Sequence, residues 1–242
     1  MESPDWVAKN RRVWQAKPAL RDYYRDQIFE RIRAEVVPGR TLELGSGPGF
    51  LAEHLPGIVT SDIAPAPGVA VCADAHALPF ADASFDNVVG VDVLHHFARP
   101  GVALGEVARV LCPHGRLVAV EPWTSPFGHL FYRYIHHEAC RHMADPWRAA
   151  IRPDKAAMEG NAMIPRTLFL DRHPELARHA PGLRLVRLET FGFLAFLMTG
   201  GFRTWSFPPA LVRLMTRIEQ AYPRRLIDAL ATRVLLVLEK ER

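Results

Sequence analysis

The chain has 242 residues, of which 49% are hydrophobic, and its formal net charge is +4. This length and apolar content suffice for one α/β domain with a complete core, so we expect residues 1–242 to form a single domain. The sequence has no apolar run of about 18 residues that could span a membrane, and three cysteines without a C-x-x-C pair imply neither a disulfide framework nor a zinc site.

The charges are unevenly distributed. Acidic residues outnumber basic ones up to Glu121, and arginines prevail beyond it without forming a run. A solvated surface or an anionic partner would both explain this excess. The absence of a basic run and of a recognition module predicts no nucleic-acid partner. Unpaired thiols and an N-terminus without a basic-then-apolar leader predict a cytoplasmic protein.

Residues 1–39 are predicted to form a helical N-terminal arm. Apolar residues recur there with helical spacing, namely Trp14, Tyr23, Tyr24, Ile28 and Ile32. Pro18 breaks the pattern, and Pro38 with Gly39 ends it. The arm could cover a ligand pocket or simply pack on the core, since apolar periodicity alone indicates burial.

The most informative stretch is residues 41–50, where a short strand leads into a glycine-rich turn. The turn contains three alternate glycines, Gly45, Gly47 and Gly49. Glycine permits positive φ and a close approach of the backbone to a ligand, and Pro48 suits the first turn of a helix. A dinucleotide fingerprint would need a glycine in place of Phe50, so the pattern is acidic-x-G-x-G-x-G with Glu43 as its acidic residue.

This pattern resembles motif I of the class I S-adenosylmethionine-dependent methyltransferases. The resemblance extends to Glu121 and is greatest to the methyltransferase type 11 core of ubiquinone and menaquinone biosynthesis. It implies an α/β fold with a doubly wound, mostly parallel, seven-stranded sheet of the Rossmann-like type. It also implies S-adenosyl-L-methionine as the cofactor, held by a core of residues 40–121.

The resemblance implies a cofactor site at the carboxyl ends of the strands, where open α/β sheets bind ligands. Asp62, at the tip of the second predicted strand, would accept hydrogen bonds from ribose hydroxyls, and Ile63 would lie against adenine. Asp74 would accept the adenine amino group, beside the backbone of Ala75. A plain turn role for Asp62 stays open. The implied cofactor-binding residues are Glu43, Gly45, Ser46, Gly47, Gly49, Asp62, Ile63, Asp74, Ala75 and Asp92.

Candidate catalytic groups occur in two places. His95 and His96 follow the apolar strand predicted at residues 85–91, where they could line the acceptor side. Residues 127–142 have helical periodicity, which would place Glu138 on an apolar face with His137 on its flank. These two side chains are candidates for a base, although an ion pair between Glu138 and an arginine is equally compatible with the pattern. The cluster lacks the spacing of a metal site.

Two long segments depart from the family pattern. Residues 122–181 and 190–233 are predicted to be helical insertions, the second lying between the strands predicted at 183–189 and 234–239, where the family usually has a short hairpin. Both segments are rich in aromatic residues. A pocket lid, a satellite core, a homodimer interface and peripheral contact with a membrane surface all remain open for residues 190–233.

The predicted function is O- or C-methylation of a small hydrophobic acceptor, such as a phenol, a quinone precursor, a polyketide or a lipid-like chain. Two alternatives come from other classes. One is an NAD(P)-dependent oxidoreductase, against which Phe50 and Glu43 argue. The other is a methyltransferase-like subunit that binds ligand without catalysis.

Overall fold

The computed structural model describes residues 5–136, 139–149, 151 and 159–242. These residues form a seven-stranded sheet, as expected. The strands are β1 (Thr41–Leu44), β2 (Val59–Asp62), β3 (Val71–Cys72), β4 (Phe85–Val91), β5 (Leu111–Pro122), β6 (Leu183–Phe191) and β7 (Arg233–Lys240). None of the described helices is long and apolar enough to cross a bilayer.

Helices precede the sheet, connect its strands and occur in the described parts of both insertions. They are α1 (Asp5–Ala16), α2 (Pro18–Tyr23), α3 (Glu30–Glu35), α4 (Phe50–His54), α5 (Pro100–Val110), α6 (Pro126–Tyr134), α7 (Ile164–Arg166), α8 (Leu176–His179), α9 (Leu194–Met198), α10 (Pro209–Gln220) and α11 (Arg224–Leu230). A π-helical turn at Tyr24–Phe29 joins α2 to α3, and another at Thr167–Asp171 follows α7.

The strand order is β3-β2-β1-β4-β5-β7-β6, and only β7 runs antiparallel to its neighbours. The carboxyl ends of β1, β2, β3 and β4 therefore meet at one edge of the sheet. Because β7 is antiparallel, its first residue, Arg233, pairs with Pro122 at the end of β5 and lies at that same edge. The predicted doubly wound sheet is confirmed, and its topology creates the site described below.

Side chains that alternate along the strands supply two cores. Leu42, Val88 and Leu117 pack on one face with residues of α5, α7 and α8. Val89 and Val118 point to the opposite face, which α2, α3, α9 and α10 cover. A strand that is apolar on both faces is the pattern of a sheet buried between two helical layers.

Strand β5 begins irregularly, because His114 has a φ of 64° and the pairing register with β4 shifts between Phe85 and Asn87. One sequence-based boundary was wrong. The helix expected over 127–142 ends at Tyr134, and Ala139 forms a β-bridge with Asn161. His137 and Glu138 themselves lie outside the described residues.

The N-terminal arm and the second insertion form one layer over the sheet. The buried Lys17 donates from Nζ to the carbonyl oxygens of Gly201, at 2.5 Å, and Arg203, at 3.0 Å. On α10, Arg213 pairs with Asp22 of α2 at 2.9 Å. Segments that lie almost 200 residues apart in sequence are thus joined by direct polar contacts.

Candidate active site

A cavity of about 1350 Å³ opens at the carboxyl edge of the sheet. Its described lining comes from the glycine turn, the ends of β2, β3 and β4, the N-terminal arm and both insertions. Most of the sequence-predicted cofactor residues line it: Glu43, Gly45, Ser46, Gly47, Asp62, Ile63, Asp74, Ala75 and Asp92. Gly49 does not. It is the residue before α4, with a φ of 81°.

The glycine turn needs glycine at both of its first two positions. Gly45 has a φ of 65°, and a Cβ there would lie 2.5 Å from Val93 Cγ2. Gly47 has a φ of 48°, and its Cβ would lie 3.2 Å from the ring of Trp6. Side chains rarely adopt such backbone angles, so the turn combines a conformational and a steric requirement.

Asp62 ties the glycine turn to the end of β2. Its Oδ2 accepts from the Gly47 backbone N–H at 2.8 Å, and its Oδ1 accepts from the Ala64 backbone N–H at 3.0 Å. A carboxylate has about four acceptor positions, so both oxygens keep capacity for further donors such as hydroxyl groups.

Asp74 is held by His76. Its Oδ1 accepts from the His76 backbone N–H at 2.9 Å and from the ring Nδ1 at 2.6 Å. The Arg99 backbone N–H donates to His76 Nε2 at 3.2 Å, which assigns the ring proton to Nδ1. Burial alone would raise the pKa of Asp74, but the hydrogen bonds from His76 outweigh it and lower that pKa. The carboxylate is therefore kept ionised.

Glu43 and Ser46 present buried polar atoms toward the cavity. Among the described residues, neither Glu43 Oε2 nor Ser46 Oγ has a partner in hydrogen-bonding geometry. Burial and the charge of Asp62 raise the pKa of Glu43 to about 7, against a lowering contribution from the nearby Ser46 hydroxyl. Buried polar atoms without protein partners are uncommon, and a ligand with hydroxyl or ammonium groups would satisfy them.

Asp92 belongs to a buried cluster that sequence reasoning did not foresee. It has a φ of 54° and forms an ion pair with the buried Arg233, while the Tyr24 hydroxyl lies 3.5 Å from its Oδ2. Arg233 also lies over the ring of Phe196, at 4.4 Å. Burial would lower the pKa of Arg233, but the charge of Asp92 raises it well above the ordinary value. Burial raises the pKa of Tyr24, so its phenol stays neutral.

His95 is held by a fully buried carboxylate, Glu121. Glu121 Oε1 accepts from the backbone N–H groups of Val93 and Leu94, at 2.9 and 2.8 Å, and Oε2 lies 2.7 Å from His95 Nδ1. An ionised Glu121 makes Nδ1 the donor, so the lone pair of the neutral ring is on Nε2. Glu121 was not a predicted site residue, although a lone carboxylate at the end of an apolar strand was a usable signal.

The rest of the cavity wall is mainly apolar and aromatic. His96 lies against His95, with ring centroids 4.1 Å apart, and both rings contact the backbone at Gly160 so closely that a Cβ there would lie 2.7 Å from His95. Further lining comes from Phe131, Tyr132, Ile135, His136, Phe196 and Trp205. The structure thus brings His95 and His96 to the same cavity as the glycine turn. Searched over the described residues, the chain has no group of three potential metal ligands.

Residues 42–119 match the profile of a family described as a methyltransferase domain. These residues form a methyltransferase domain. A demethylmenaquinone methyltransferase of Thermus thermophilus is 41% identical over 123 residues, which cover 41% of this chain and 55% of that relative. An uncharacterized methyltransferase of Mycobacterium marinum is 35% identical over 114 residues, covering 40% and 45%.

The chain thus spans about half the length of these curated relatives. A solved structure of a SAM-dependent methyltransferase from Thermotoga maritima superposes on the chain with a TM-score of 0.57 and 15% identity, covering 98% of each chain. This similarity confirms the fold around the methyltransferase domain. The cavity residues contributed by the insertions, including Arg233, lie outside residues 42–119, which match the family profile.

Proposed function

We propose that this protein transfers a methyl group from S-adenosyl-L-methionine to a small hydrophobic acceptor. The match of the methyltransferase domain supports the reaction class. The named activity of the Thermus thermophilus relative supports a quinone precursor among the phenolic and lipid-like candidates. A cytoplasmic location stays a prediction.

The observation that carries this proposal is the chemical make-up of the cavity lining. Four carboxylates, those of Glu43, Asp62, Asp74 and Asp92, line it at the carboxyl ends of strands β1 to β4. The two insertions add a mainly apolar and aromatic lining that also contains arginines. A cationic, hydroxyl-rich cofactor suits the carboxylates, and an apolar acceptor suits the aromatic lining.

The residues present fit the cofactor. The Asp62 carboxylate has remaining capacity for ribose hydroxyls, and Asp74 has an oxygen outside its contacts with His76 for the adenine amino group. The orphaned Glu43 Oε2 and Ser46 Oγ lie beside the glycine turn, where the methionine end would be held. Bound S-adenosylmethionine supplies an electrophilic methyl group.

The chain's own contribution is positioning and proton removal. An acceptor atom must be held in line at roughly 3 Å, and the walls from both insertions can restrict it while excluding water. We assign His95 to take the proton of an acceptor hydroxyl, because the residue lines the cavity and Glu121 fixes its ring orientation from Nδ1. His96 packs against this ring and helps to shape the acceptor side.

The structure argues against a nicotinamide enzyme. Phe50 occupies the place of the third glycine, and its ring stacks on Trp14 at a centroid distance of 4.0 Å and on Phe202 at 6.0 Å. Glycine at that position serves close packing of helix against strand in dinucleotide sites. An aromatic cluster in its place favours a different ligand geometry.

Calorimetry with S-adenosylhomocysteine and with NAD tests the cofactor assignment. We expect heat only with S-adenosylhomocysteine, and Asp62→Ala and Asp74→Ala should each weaken its binding by about 1–3 kcal/mol. The matched control is Asp82→Ala, which removes an exposed carboxylate that does not line the cavity. Binding of NAD alone, or unchanged affinity in both variants, would refute the assignment. Transfer of a labelled methyl group to a panel of phenols and quinols then tests the reaction.

A further inference from the structure

Exposed apolar side chains are concentrated in the second insertion. Residues 190–233 contribute seven of the fourteen large hydrophobic side chains that are exposed in the described part of the chain. The cofactor-binding core, residues 40–121, contributes only Ile63 and Val102 among them. A soluble surface has scattered apolar residues, whereas such a concentration indicates a contact surface.

Helix α10 presents an outward apolar stripe. Leu211, Leu214 and Ile218 are spaced as i, i+3 and i+7 and are 43%, 53% and 40% exposed. At 100° per residue they lie within about 60° of one another. Val212 and Glu219 of the same helix are buried against the rest of the protein, so the exposed stripe is additional to the packing face.

The segment just before α10 adds two exposed aromatic side chains near the cavity. Trp205 and Phe207 are each 47% exposed, and their ring centroids lie 6.3 Å apart in an edge-to-face arrangement. Trp205 and the exposed Ile135 both line the cavity. Arg203 connects the segment that carries Trp205 to Ile135, since its Nη2 donates to the Ile135 carbonyl oxygen at 3.1 Å. We call Ile135, Trp205, Phe207, Leu211, Leu214 and Ile218 the mouth surface.

The charge around the mouth surface is positive. Between residues 190 and 232 the arginines are Arg203, Arg213, Arg217, Arg224 and Arg225, and the acidic residues are Glu219 and Asp228. Glu219 is buried and accepts backbone N–H groups, and Asp228 is paired with Arg224 at 3.0 Å. Within the described chain, Arg203, Arg217 and Arg225 have no carboxylate partner. On α10, Arg217 lies about 60° around the helix from Leu214, beside the apolar stripe, whereas Arg213 points away from the stripe to its ion pair with Asp22.

We propose that the mouth surface binds an anionic lipid bilayer, with its apolar side chains in the headgroup boundary and its arginines against lipid phosphates. An amphipathic helix flanked by cations, next to an exposed tryptophan, has the composition of an interfacial membrane contact. Two copies of the chain meeting through this surface would oppose arginines of like charge, which disfavours a symmetric dimer. Binding by this surface does not depend on methyl transfer.

Vesicle co-sedimentation tests the proposal. The full chain should bind vesicles of phosphatidylcholine with phosphatidylglycerol, bind phosphatidylcholine vesicles much less, and lose binding as salt screens the arginines. Leu211→Ser, Leu214→Ser and Ile218→Ser combined should weaken binding by at least about tenfold. Arg217→Glu with Arg225→Glu should weaken binding to the anionic vesicles alone.

The matched control combines Leu170→Ser and Val186→Ser, which remove exposed apolar residues outside the mouth surface. It should bind like the unmodified chain, and thermal unfolding should show that every variant folds. Absence of sedimentation with anionic vesicles, or equal binding by the serine variants, would overturn the proposal. A lipid-free dimer that the three serines dissociate would assign the surface to a second copy instead.

Discussion

Replacing Glu121 by glutamine perturbs the buried network that joins β5 to the loop after β4. The carboxylate accepts from Val93 and Leu94 on one oxygen, and from the His95 backbone N–H, at 3.3 Å, and ring Nδ1 on the other. Glutamine keeps one oxygen acceptor and presents an NH₂ group to His95. The imidazole must then change its tautomer and lose the lone pair on Nε2.

The magnitude follows from the bonds that are lost. Hydrogen bonds to charged groups contribute about 1.5–3 kcal/mol each, and the relief of burying a charge offsets part of that loss. We therefore expect Glu121→Gln to lower the free energy of unfolding by about 1–3 kcal/mol.

The assay is urea unfolding of the unmodified chain, Glu121→Gln, His95→Gln and the double variant. A coupling energy above about 0.5 kcal/mol is expected, since the two side chains share one hydrogen bond. Glu219→Gln is the matched control, because that carboxylate is also buried and accepts two backbone N–H groups but touches no imidazole. Strict additivity of the two substitutions, or an unfolding free energy equal to that of the unmodified chain, would refute the reasoning.

Three further substitutions test the site. Burial raises the folded-state pKa of Glu43 to about 7, above its ordinary value of 4.5, so the free energy of unfolding should fall as the pH rises from 4.5 to 7. Glu43→Gln should remove up to about 3 kcal/mol of that fall. Equal pH dependence of urea unfolding in both chains would contradict this. Gly47→Ala should cost about 1–2 kcal/mol and weaken calorimetric S-adenosylhomocysteine binding, whereas Gly68→Ala, also at positive φ but with open space around its Cβ, should spare binding. Arg233→Met leaves Asp92 without its cation and should lower the free energy of unfolding by about 3–5 kcal/mol in urea. Adding Asp92→Asn should restore part of this loss. If it restores none, the unpaired charge of Asp92 is not the cause of the loss.

Local patterns predicted the parts of the site that neighbouring residues determine. The alternate glycines after β1 and the acidic residues Asp62 and Asp74 could be placed because each follows directly from a strand end. Strand β4 was predicted with its observed bounds, since residues 85–91 form an apolar run that only Asp86 and Asn87 interrupt. Such features need only the sequence nearby and the rule that ligands bind at carboxyl ends of strands.

Contacts between distant segments could not be predicted in the same way. Arg233 reaches Asp92 only because β7 is antiparallel and inserted between β5 and β6, which no local pattern of residues 233–240 reveals. Tyr24 was recognised as part of an amphipathic helix, but its approach to Asp92 depends on how the arm packs. The bridge between Ala139 and Asn161, within the stretch expected to be helical, is likewise a tertiary contact that helical periodicity does not reveal.

The two carbonyl contacts of Lys17 have a consequence for how this protein can be altered. Removal of the first seventeen residues would leave the Gly201 and Arg203 oxygens without their ammonium donor, and the wall that carries Trp205 would lose its anchor. In a chimaera that takes residues 190–233 from another methyltransferase, the buried Lys17 ammonium group would lose its two carbonyl acceptors. We therefore expect that the N-terminal arm and residues 190–233 can be exchanged or engineered only together.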